Sequence, residues 1–486
     1  MITNTQQLTV FLPFLIVMFG CLIVTLSISY NRNHAVISIF SISFLTFSFF
    51  SLSLMLTMTP INISNLFYID SCSVLYIGMV IFASIATCIF SYPYLEKYKD
   101  NKEEFYLLIL ISTLGAMFSI IANHMSSLFI SMELMSLPIF GLIAYFRHKK
   151  HALEAAFKYI VLSVVASSFL LFGIAWIYSI SGSLSFNNIS KITNIASLNE
   201  KLVLFFGFFM ILISLLFKLS IAPFHLWVPD IYHGTSSLAL SFFSTVSKIV
   251  VFGVLLHFLY HLNILNNNKL YIIMMLIAFF SMLIGNIMAL FQNNIKRFFG
   301  YCSISQMSYL LTVLFVSKEN YALSLEASSI YLLSYLFSNI AFFGIMSLIS
   351  SSKKIKDVNL ISSYHGLFFS NPILSIILTL IFLSLSGFPM TLGFIGKFYI
   401  LSIIIKEHFW TLGIAFLISS VIGFFCYLRI IMHLYLDTSK ILLKNDVNML
   451  DHWVITPSGI MILSSGIMLL IFGIYPTPLI YFIEYF

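Results

Sequence analysis

Charged residues are scarce in this sequence: only 8% of its 486 residues are Asp, Glu, Lys or Arg, whereas 60% are hydrophobic. A soluble domain does not have this balance, because too few polar side chains would remain to cover its surface. The 5 cysteines are scattered and form no Cys-x-x-Cys pair, so neither a disulfide framework nor a cysteine metal site is expected. The composition predicts a polytopic membrane protein whose cysteines are buried among apolar side chains.

Several catalytic signatures are also absent. The chain has no phosphate-binding glycine motif, no nucleophile elbow and no cluster of metal-ligating residues. Its formal net charge of +7 would suit a nucleic-acid partner, but the basic residues lie in short loops instead of one patch. The sequence therefore argues against nucleotide-dependent, hydrolytic and metal-dependent enzymes, and we expect no nucleic-acid partner.

About fourteen stretches are long enough to cross a lipid bilayer, since a transmembrane helix needs about 20 apolar residues. They predict an all-α fold. The first run, residues 10–30, has no basic segment before it and no small-residue cleavage site, so we expect it to be retained as a span. The predicted spans are residues 8–30, 35–58, 70–95, 104–122, 124–146, 152–180, 202–234, 236–262, 270–291, 299–317, 325–350, 373–406, 409–436 and 455–480.

Spans 7 and 12 are too long to be straight helices. Span 7 contains Pro223 near its middle, and span 12 contains Gly387 and Pro389. Irregular backbone at membrane depth occurs where it is buried in protein or lines a wet cavity. We therefore predict that both spans are broken helices of the kind that form binding sites in transporters.

Two short motifs recur and predict internal symmetry. The tripeptide Leu-Glu-Ala at 153–155 returns at 325–327, and Ser-x-x-Pro at 220–223 returns at 386–389. Spans 4–8 (residues 104–262) and 9–13 (residues 270–436) would then form two five-helix repeats, and the odd number of helices inverts the second. Helices 1–3 (residues 1–100) and helix 14 (residues 455–486) complete a single integral membrane domain, residues 1–486.

Lysine and arginine residues predict the orientation, because they favour cytoplasmic loops. The odd-numbered loops are richer in them, so we place these loops in the cytoplasm and both termini on the opposite side. The odd-numbered loops contain Arg32, Lys97, Lys99, Lys102, Arg147, Lys149, Lys150, Lys296, Arg297, Lys353, Lys354, Lys356, Lys440 and Lys444. The even-numbered loops contain Lys191, Lys201, Lys269, Lys318 and Lys406.

Five ionisable residues lie inside predicted spans: Glu133, Lys158, Lys218, Lys248 and Lys397. Each charge near the bilayer centre costs about 2.5–3.5 kcal/mol on insertion scales, which is a heavy burden for a structural anchor. Glu133 lies about 13 Å into span 5, and Lys248 is similarly central in span 8. Residues of this kind usually mark an ion or proton path.

The lysines suit proton transfer because two opposing effects act on a buried ammonium group. Desolvation weakens its hold on the proton, whereas a nearby carboxylate strengthens it. Lys218 lies five residues before Pro223, where carbonyls freed by the break can solvate its charge. Lys397 lies in the second half of broken span 12 and has the corresponding role in the second repeat.

Two further candidates have a plain structural alternative. Lys158 follows Glu154 by one helical turn, so an ordinary ion pair near a helix start explains it as well as a functional role does. His225 follows the break at Pro223 and titrates near neutral pH, which favours a proton relay. Capping or packing of exposed helix-end groups is the alternative for His225.

At this level of detail the sequence resembles the antiporter-like proton-pumping subunits of respiratory complex I, the NADH:quinone oxidoreductase. The resemblance runs from end to end, and the segments around Pro223 and Pro389 are the most specific. The best segments are residues 95–108 (LEKYKDNKEEFYLL), 154–172, 217–232 (FKLSIAPFHLWVPDIY), 294–305 (NIKRFFGYCSIS) and 387–399 (GFPMTLGFIGKFY).

The resemblance implies a fourteen-helix fold with inverted repeats and a proton path of four residues. It implies that Glu133 pairs with Lys218, that Lys248 is central and that Lys397 is on the exit side. It further implies a bacterial inner membrane, periplasmic termini and other complex I membrane subunits as partners, namely a neighbouring antiporter-like subunit and small membrane subunits. No cofactor is expected in this chain, because NADH, FMN, iron–sulfur clusters and quinone belong to partner subunits.

The sequence departs from the family pattern at a few positions, and two other functions stay open. Span 10 has Gln306 and Ser308 where the family usually has His and Gly, and no proline follows Gly234. One alternative is a stand-alone Na⁺/H⁺ antiporter, or a membrane subunit of a related cation/proton antiporter complex. A sodium site would need several oxygen ligands, and only one carboxylate lies deep here. The other alternative is a structural subunit with relic charges.

Overall fold

The computed structural model describes residues 4–98, 100–147, 150–195, 197–262, 268–316, 321–352, 358–436 and 453–484. Within these residues the fold is almost entirely helical, which confirms the predicted all-α class. The helices are α1 (Asn4–Tyr30), α2 (His34–Leu56), α3 (Ser71–Leu95), α4 (Glu104–Ile120), α5 (Met125–Ala144), α6 (Lys150–Ser181), α7 (Phe186–Ile195), α8 (Leu198–Leu219), α9 (Trp227–Gly234), α10 (Ser237–His261), α11 (Asn268–Leu290), α12 (Ile295–Val316), α13 (Tyr321–Ser352), α14 (Leu367–Ser370), α15 (Pro372–Ser386), α16 (Leu392–Lys406), α17 (Trp410–Tyr435), α18 (Pro457–Ile474) and α19 (Thr477–Glu484).

The described part of the chain has 12 helices that are long and apolar enough to cross a membrane, so the protein is a multi-span membrane protein. Two shorter apolar helices, α4 and α15, accompany them. The predicted span boundaries lie within a few residues of the helix ends for most spans. The count of fourteen spans and the inverted relation of the two repeats stay predictions.

A β-hairpin and helix α7 lie outside the predicted spans, as does the four-residue helix α14. Strands β1 (Ile61–Ile63) and β2 (Phe67–Ile69) form an antiparallel hairpin between α2 and α3. Helix α7 buries Phe186 and Ile189 but exposes Lys191, so it is amphipathic. These elements are shorter than the about 20 residues that a span requires, and a search for spans therefore passes over them.

Both predicted helix breaks are present. Helix α8 ends at Ser220, whose backbone is left-handed with φ 64°, and α9 begins at Trp227. Helix α15 ends at Gly387, with φ 83°, and α16 begins at Leu392. Glycine suits position 387 for two reasons. The left-handed backbone there is strained for a residue with a side chain, and a Cβ atom would lie 2.7 Å from Cδ of Lys397.

The centre of the protein is formed by α10, with α12 and α13 beside it. The most apolar stretch of α10 is completely buried, and those of α12 and α13 are 94% and 89% buried. In contrast, α1, α2 and α6 have largely exposed apolar faces, as expected for helices at the lipid boundary. Lys248 lies on α10, so its charge is in the best-covered part of the molecule.

None of the five cysteines, all of which lie in the described residues, is in a disulfide. Cys88, Cys302 and Cys426 are buried as predicted, whereas Cys21 and Cys72 are only half-buried. The predicted orientation rests partly on lysines that lie outside the described residues. These are Lys99, Lys149, Lys318, Lys353, Lys354, Lys356, Lys440 and Lys444.

Candidate functional site

Glu133 and Lys218 form an ion pair between α5 and α8. Oε1 of Glu133 lies 3.5 Å from Nζ of Lys218, and the hydroxyl of Ser136 donates a hydrogen bond to the carboxylate at 3.2 Å. The Glu133 side chain is 25% exposed and the Lys218 side chain 9% exposed. A buried ammonium is tolerated when an opposite charge and hydrogen bonds compensate its lost hydration. The pair that the resemblance implied is therefore present.

Lys248 reaches the end of α8 from the neighbouring helix α10. Its Nζ donates hydrogen bonds to the carbonyl oxygen of Lys218 at 3.1 Å and to Oγ of Ser220 at 2.6 Å. It also lies 5.4 Å from the ring centroid of Trp227, a distance at which cation and ring attract each other. Lys218 thus contacts Glu133 through its side chain and Lys248 through its backbone.

The break after α8 leaves no carbonyl of the last turn without a donor. Helix ends expose up to four such carbonyls, and buried ones need a partner. The carbonyls of Leu216 and Phe217 accept from the backbone of the following turn, and that of Leu219 accepts from the hydroxyl of Ser220. The carbonyl of Lys218 is left for Lys248. The negative end of the helix dipole favours a cation at this point.

The last carbonyls of α15 also all accept hydrogen bonds. The amides of Gly387 and Phe388 donate to the carbonyls of Leu383 and Ser384. Nε2 of Gln306 donates to the carbonyl of Leu385 at 3.2 Å, and Nζ of Lys397 donates to the carbonyl of Ser386 at 2.9 Å. The Lys397 side chain runs past Gly387 and is nearly fully buried.

Lys248 and Lys397 therefore make equivalent contacts at the two breaks. Each belongs to another helix and donates a hydrogen bond to a carbonyl in the last turn of the broken one. Each also lies over an aromatic ring, Trp227 for Lys248 and Tyr309 at 5.3 Å for Lys397. Lys218 and Lys397 both belong to broken spans, yet their contacts differ. An ammonium at a freed carbonyl can be held either charged or neutral without refolding the helix.

Lys158 lies in a separate network of charges. Its Nζ is 2.8 Å from Glu154 and 2.8 Å from Asp230, and Arg297 forms an ion pair with the other oxygen of Asp230. The ion pair with Glu154 that the spacing predicted is present, and Asp230 is an additional partner. The functional role of Lys158 stays a prediction. The four side chains are between 32% and 57% exposed, so the network lies at the surface of the chain, unlike the buried site.

His225 is buried beside the break but has no contact with the lysines. Its Nδ1 atom makes no hydrogen bond to any described residue, and its ring lies beside the Pro223 carbonyl. Among the described residues, no hydrogen bond or ion pair joins His225 to Lys218 or Lys248. The relay role of His225 stays a prediction.

Several functional neighbours carry no charge and were missed by a search for buried charges. The hydroxyl of Tyr331 donates to Oε1 of Gln306, and Nε2 of Gln306 also donates to the hydroxyl of Tyr427 at 3.2 Å. Asn286 donates to the hydroxyl of Tyr309 at 3.0 Å and fixes the ring under Lys397. Neutral polar residues are common between membrane helices, so sequence alone gives them little weight. Asp230 could have been found, because it is a carboxylate inside a predicted span.

The part of the chain that the structure describes contains no group of three or more His, Cys, Asp or Glu residues arranged for a metal ion. The chemistry of the site thus rests on one carboxylate, three amines and neutral hydrogen-bonding groups. Such a set can accept, hold and release protons.

A model of the protein family described as "NADH:quinone oxidoreductase/Mrp antiporter, TM" matches residues 122–423. The chain belongs to this family. Within the family it resembles "NADH-quinone oxidoreductase subunit N" of Buchnera aphidicola from Acyrthosiphon pisum, with 59% identity over 480 residues and 99% of both chains covered. The same subunit of Buchnera aphidicola from Schizaphis graminum is 54% identical over 480 residues, again with 99% of both covered. The resemblance to antiporter-like complex I subunits is confirmed, and both of these relatives are named subunit N.

Three solved structures share the fold of this chain. A chain of respiratory complex I from Thermus thermophilus with bound aureothin has a TM-score of 0.80 at 23% identity, covering 96% of this chain and 98% of that one. A chain of the Mrp complex from Dietzia sp. DQ12-45-1b has a TM-score of 0.84 at 16% identity, covering 99% and 97%. An archaeal membrane-bound sulfane sulfur reductase also has a TM-score of 0.84, at 20% identity, covering 99% and 97%. These likenesses concern the fold.

Proposed function

We propose that this chain is a proton-translocating membrane subunit of an NADH:quinone oxidoreductase. The observation that carries the proposal is that Lys218 pairs with the Glu133 carboxylate through its side chain and binds the amino group of Lys248 through its backbone carbonyl. A structural subunit would gain nothing from three ionisable groups placed in series at the end of a broken helix, because each is costly to bury. The relatives named subunit N support the assignment to the oxidoreductase.

The proton path begins at the Glu133–Lys218 pair. A change of charge beside the exposed part of Glu133 would weaken its attraction for Lys218, and the ammonium would then release a proton more readily. The proton passes from the ammonium of Lys218 to the neutral amine of Lys248, which becomes charged as Lys218 becomes neutral. From Lys248 the proton moves towards Lys397 at the second break.

The oxidoreduction itself takes place in other subunits. NADH, FMN, iron–sulfur clusters and quinone are assigned to those subunits and none to this chain. The partners of the chain are a neighbouring antiporter-like subunit, small membrane subunits and the bilayer of the bacterial inner membrane, with both termini on the periplasmic side. We also retain the two inverted repeats, residues 104–262 and 270–436, as the architecture of the path.

The test is NADH-driven proton pumping in membrane vesicles that carry the whole complex. Lys218→Ala and Glu133→Ala should each lower pumping and quinone reduction together, while a native gel shows an assembled complex. Lys201→Ala is the matched control, because Lys201 lies on the same helix as Lys218 but is exposed. Full pumping by both variants at the wild-type level would disprove the role of the pair.

The same vesicles test the antiporter alternative. A stand-alone Na⁺/H⁺ antiporter would exchange sodium for protons without NADH. Among the four site residues Glu133, Lys218, Lys248 and Lys397, only Glu133 is a carboxylate. Sodium binds oxygen ligands and not ammonium groups, so we expect no sodium-dependent exchange. Sodium-driven proton movement that survives loss of the other subunits would favour the alternative.

A further inference from the structure

Gln306 is the neutral neighbour of Lys397 at the second helix break. It lies on α12, is 4% exposed and donates to the carbonyl of Leu385, the residue just before the one whose carbonyl binds Lys397. Its amide also contacts the hydroxyls of Tyr331 and Tyr427. Two consecutive carbonyls at the end of α15 thus have different donors: that of Leu385 accepts from Gln306, and that of Ser386 accepts from Lys397.

The orientation of the Gln306 amide is fixed by its partners. The carbonyl of Leu385 can only accept a hydrogen bond, so the nitrogen of the amide must face it. The amide oxygen then faces Tyr331, whose hydroxyl must donate to it. Because an amide does not titrate, Gln306 keeps this arrangement whether Lys397 is charged or neutral.

The two lysines at the breaks differ in how firmly they are held. Lys248 donates to two oxygen atoms, those of Lys218 and Ser220. Lys397 donates to one, that of Ser386, and otherwise lies over the ring of Tyr309. An ammonium has three N–H donors, so Lys397 has donors to spare, and the amide of Gln306 lies at the carbonyl of Leu385, next to the one that Lys397 uses.

We propose that Gln306 is a positioning residue for proton release from Lys397. By holding the Leu385 carbonyl, it limits the ammonium of Lys397 to the Ser386 carbonyl and keeps its hold on the proton weak. This inference rests on the proposed function, since it assigns a further residue to the same path. It requires no charge on Gln306 and no movement of the helix break.

No ion pair joins Lys397 to any residue that the structure describes; its contacts are the Ser386 carbonyl and the Tyr309 ring. Helices α12, α13, α15, α17 and α18 pack around α16, which carries Lys397. No Asp, Glu, Lys, Arg, His, Cys or Tyr residue occurs in α15 or α18. The titratable hydroxyls and thiols on the remaining helices belong to Tyr301, Cys302, Tyr309, Tyr321, Tyr331, Tyr335, Cys426, Tyr427 and Tyr435. The cationic, carboxylic and imidazole side chains on these helices are Lys296, Arg297, Glu326, Arg429 and His433, and α16 itself also carries Tyr399 and Lys406.

The experiment compares the pH dependence of NADH-driven pumping in vesicles of the wild-type complex and of Gln306→Met. Methionine has a similar length but no donor, so the Leu385 carbonyl becomes free to accept from Lys397. We expect the alkaline limb of the pumping profile to move up by about one pH unit, which corresponds to a tenfold tighter hold on the proton. Gln292→Met is the matched control, because Gln292 also donates to a helix carbonyl, that of Met288, and should cause no shift.

The outcomes separate this inference from the proposed function. If Lys397→Ala pumps normally, the path through Lys397 is wrong and the inference is lost with it. If Lys397→Ala abolishes pumping but Gln306→Met leaves the profile unchanged, or lowers it equally at every pH, Gln306 is only structural and the inference alone is overturned. Gln306→Leu replaces Gln306→Met if the latter does not assemble, and failure of both to assemble also marks Gln306 as structural.

Discussion

The ammonium of Lys248 donates a hydrogen bond to the backbone carbonyl of Lys218 at 3.1 Å, so two buried lysines are joined without their charges touching. The side chain of Lys218 meanwhile lies at Glu133. The helix break thus holds the amino group of Lys248 at the backbone of Lys218, because a carbonyl at the negative end of a helix is a strong acceptor for a cation. Four predictions follow from this site and its surroundings.

Lys248→Met should abolish pumping and loosen the break after α8. The substitution leaves the Lys218 carbonyl without its donor, and an unsatisfied buried polar group costs about 1–3 kcal/mol. Pumping in vesicles and limited proteolysis around residues 220–226 are the measurements. Lys201→Met, on an exposed part of α8, should change neither. Undiminished pumping by Lys248→Met would remove Lys248 from the path.

Gly387→Ala should lower pumping far more than Gly182→Ala does. Both glycines have positive φ, at 83° and 59°, so alanine causes backbone strain of about 1–2 kcal/mol at either site. Only at Gly387 would the new Cβ meet the Lys397 side chain, at 2.7 Å, whereas nothing lies within 4 Å at Gly182. Vesicle pumping, normalised to assembled complex, measures the difference. Equal losses would show that backbone strain alone is responsible.

Lys158→Arg should pump at the wild-type level, and Lys158→Ala should cause a smaller loss than Lys218→Ala. Lys158 pairs with Glu154 and Asp230 in a partly exposed network, and such pairs contribute little to stability because water and salt screen them. Arginine can keep both ion pairs, but its guanidinium group does not release a proton at the pH at which proteins function. Complete loss of pumping in an assembled Lys158→Arg complex would assign Lys158 to the proton path.

The start of α5, the helix that carries Glu133, should become less protected as the pH falls. His124 caps this helix by accepting a hydrogen bond from the amide of Ser126, which only the neutral imidazole can do. Burial lowers the pKa of His124 below its usual value of 6.5. Because the folded state lowers the pKa, the stabilisation is present above the unfolded pKa and is lost as the pH falls through the folded one.

Hydrogen exchange measures this last effect. Amides of the first turn of α5 should exchange faster at pH 5 than at pH 7.5, after correction for the intrinsic exchange rate. His124→Asn keeps a side-chain acceptor that does not titrate, so its protection should not depend on pH. The first turn of α10, capped by Ser236, serves as the internal control. A pH dependence that persists in His124→Asn would show that another group is responsible.

Much of the fold could be predicted from the sequence because its signals are local. A run of apolar residues predicts a span, and the breaks at Ser220 and Gly387 are signalled by the nearby Pro223, Gly387 and Pro389. A buried charge is equally visible, because its insertion cost depends on depth within one helix and not on its partner. For this reason the sequence alone points to Glu133, Lys218, Lys248 and Lys397.

The tertiary structure alone decided which groups touch. That Lys248 completes the end of α8, that Gln306 and Lys397 share the end of α15, and that Lys158 belongs with Asp230 all depend on how distant helices are rotated against each other. Hydrogen bonds act over about 3 Å, so a small rotation of one helix changes the partner. Gln306 shows in the sequence only as a departure from the family pattern, and its contacts with Leu385 and Tyr331 arise only from the atoms that the fold places beside it.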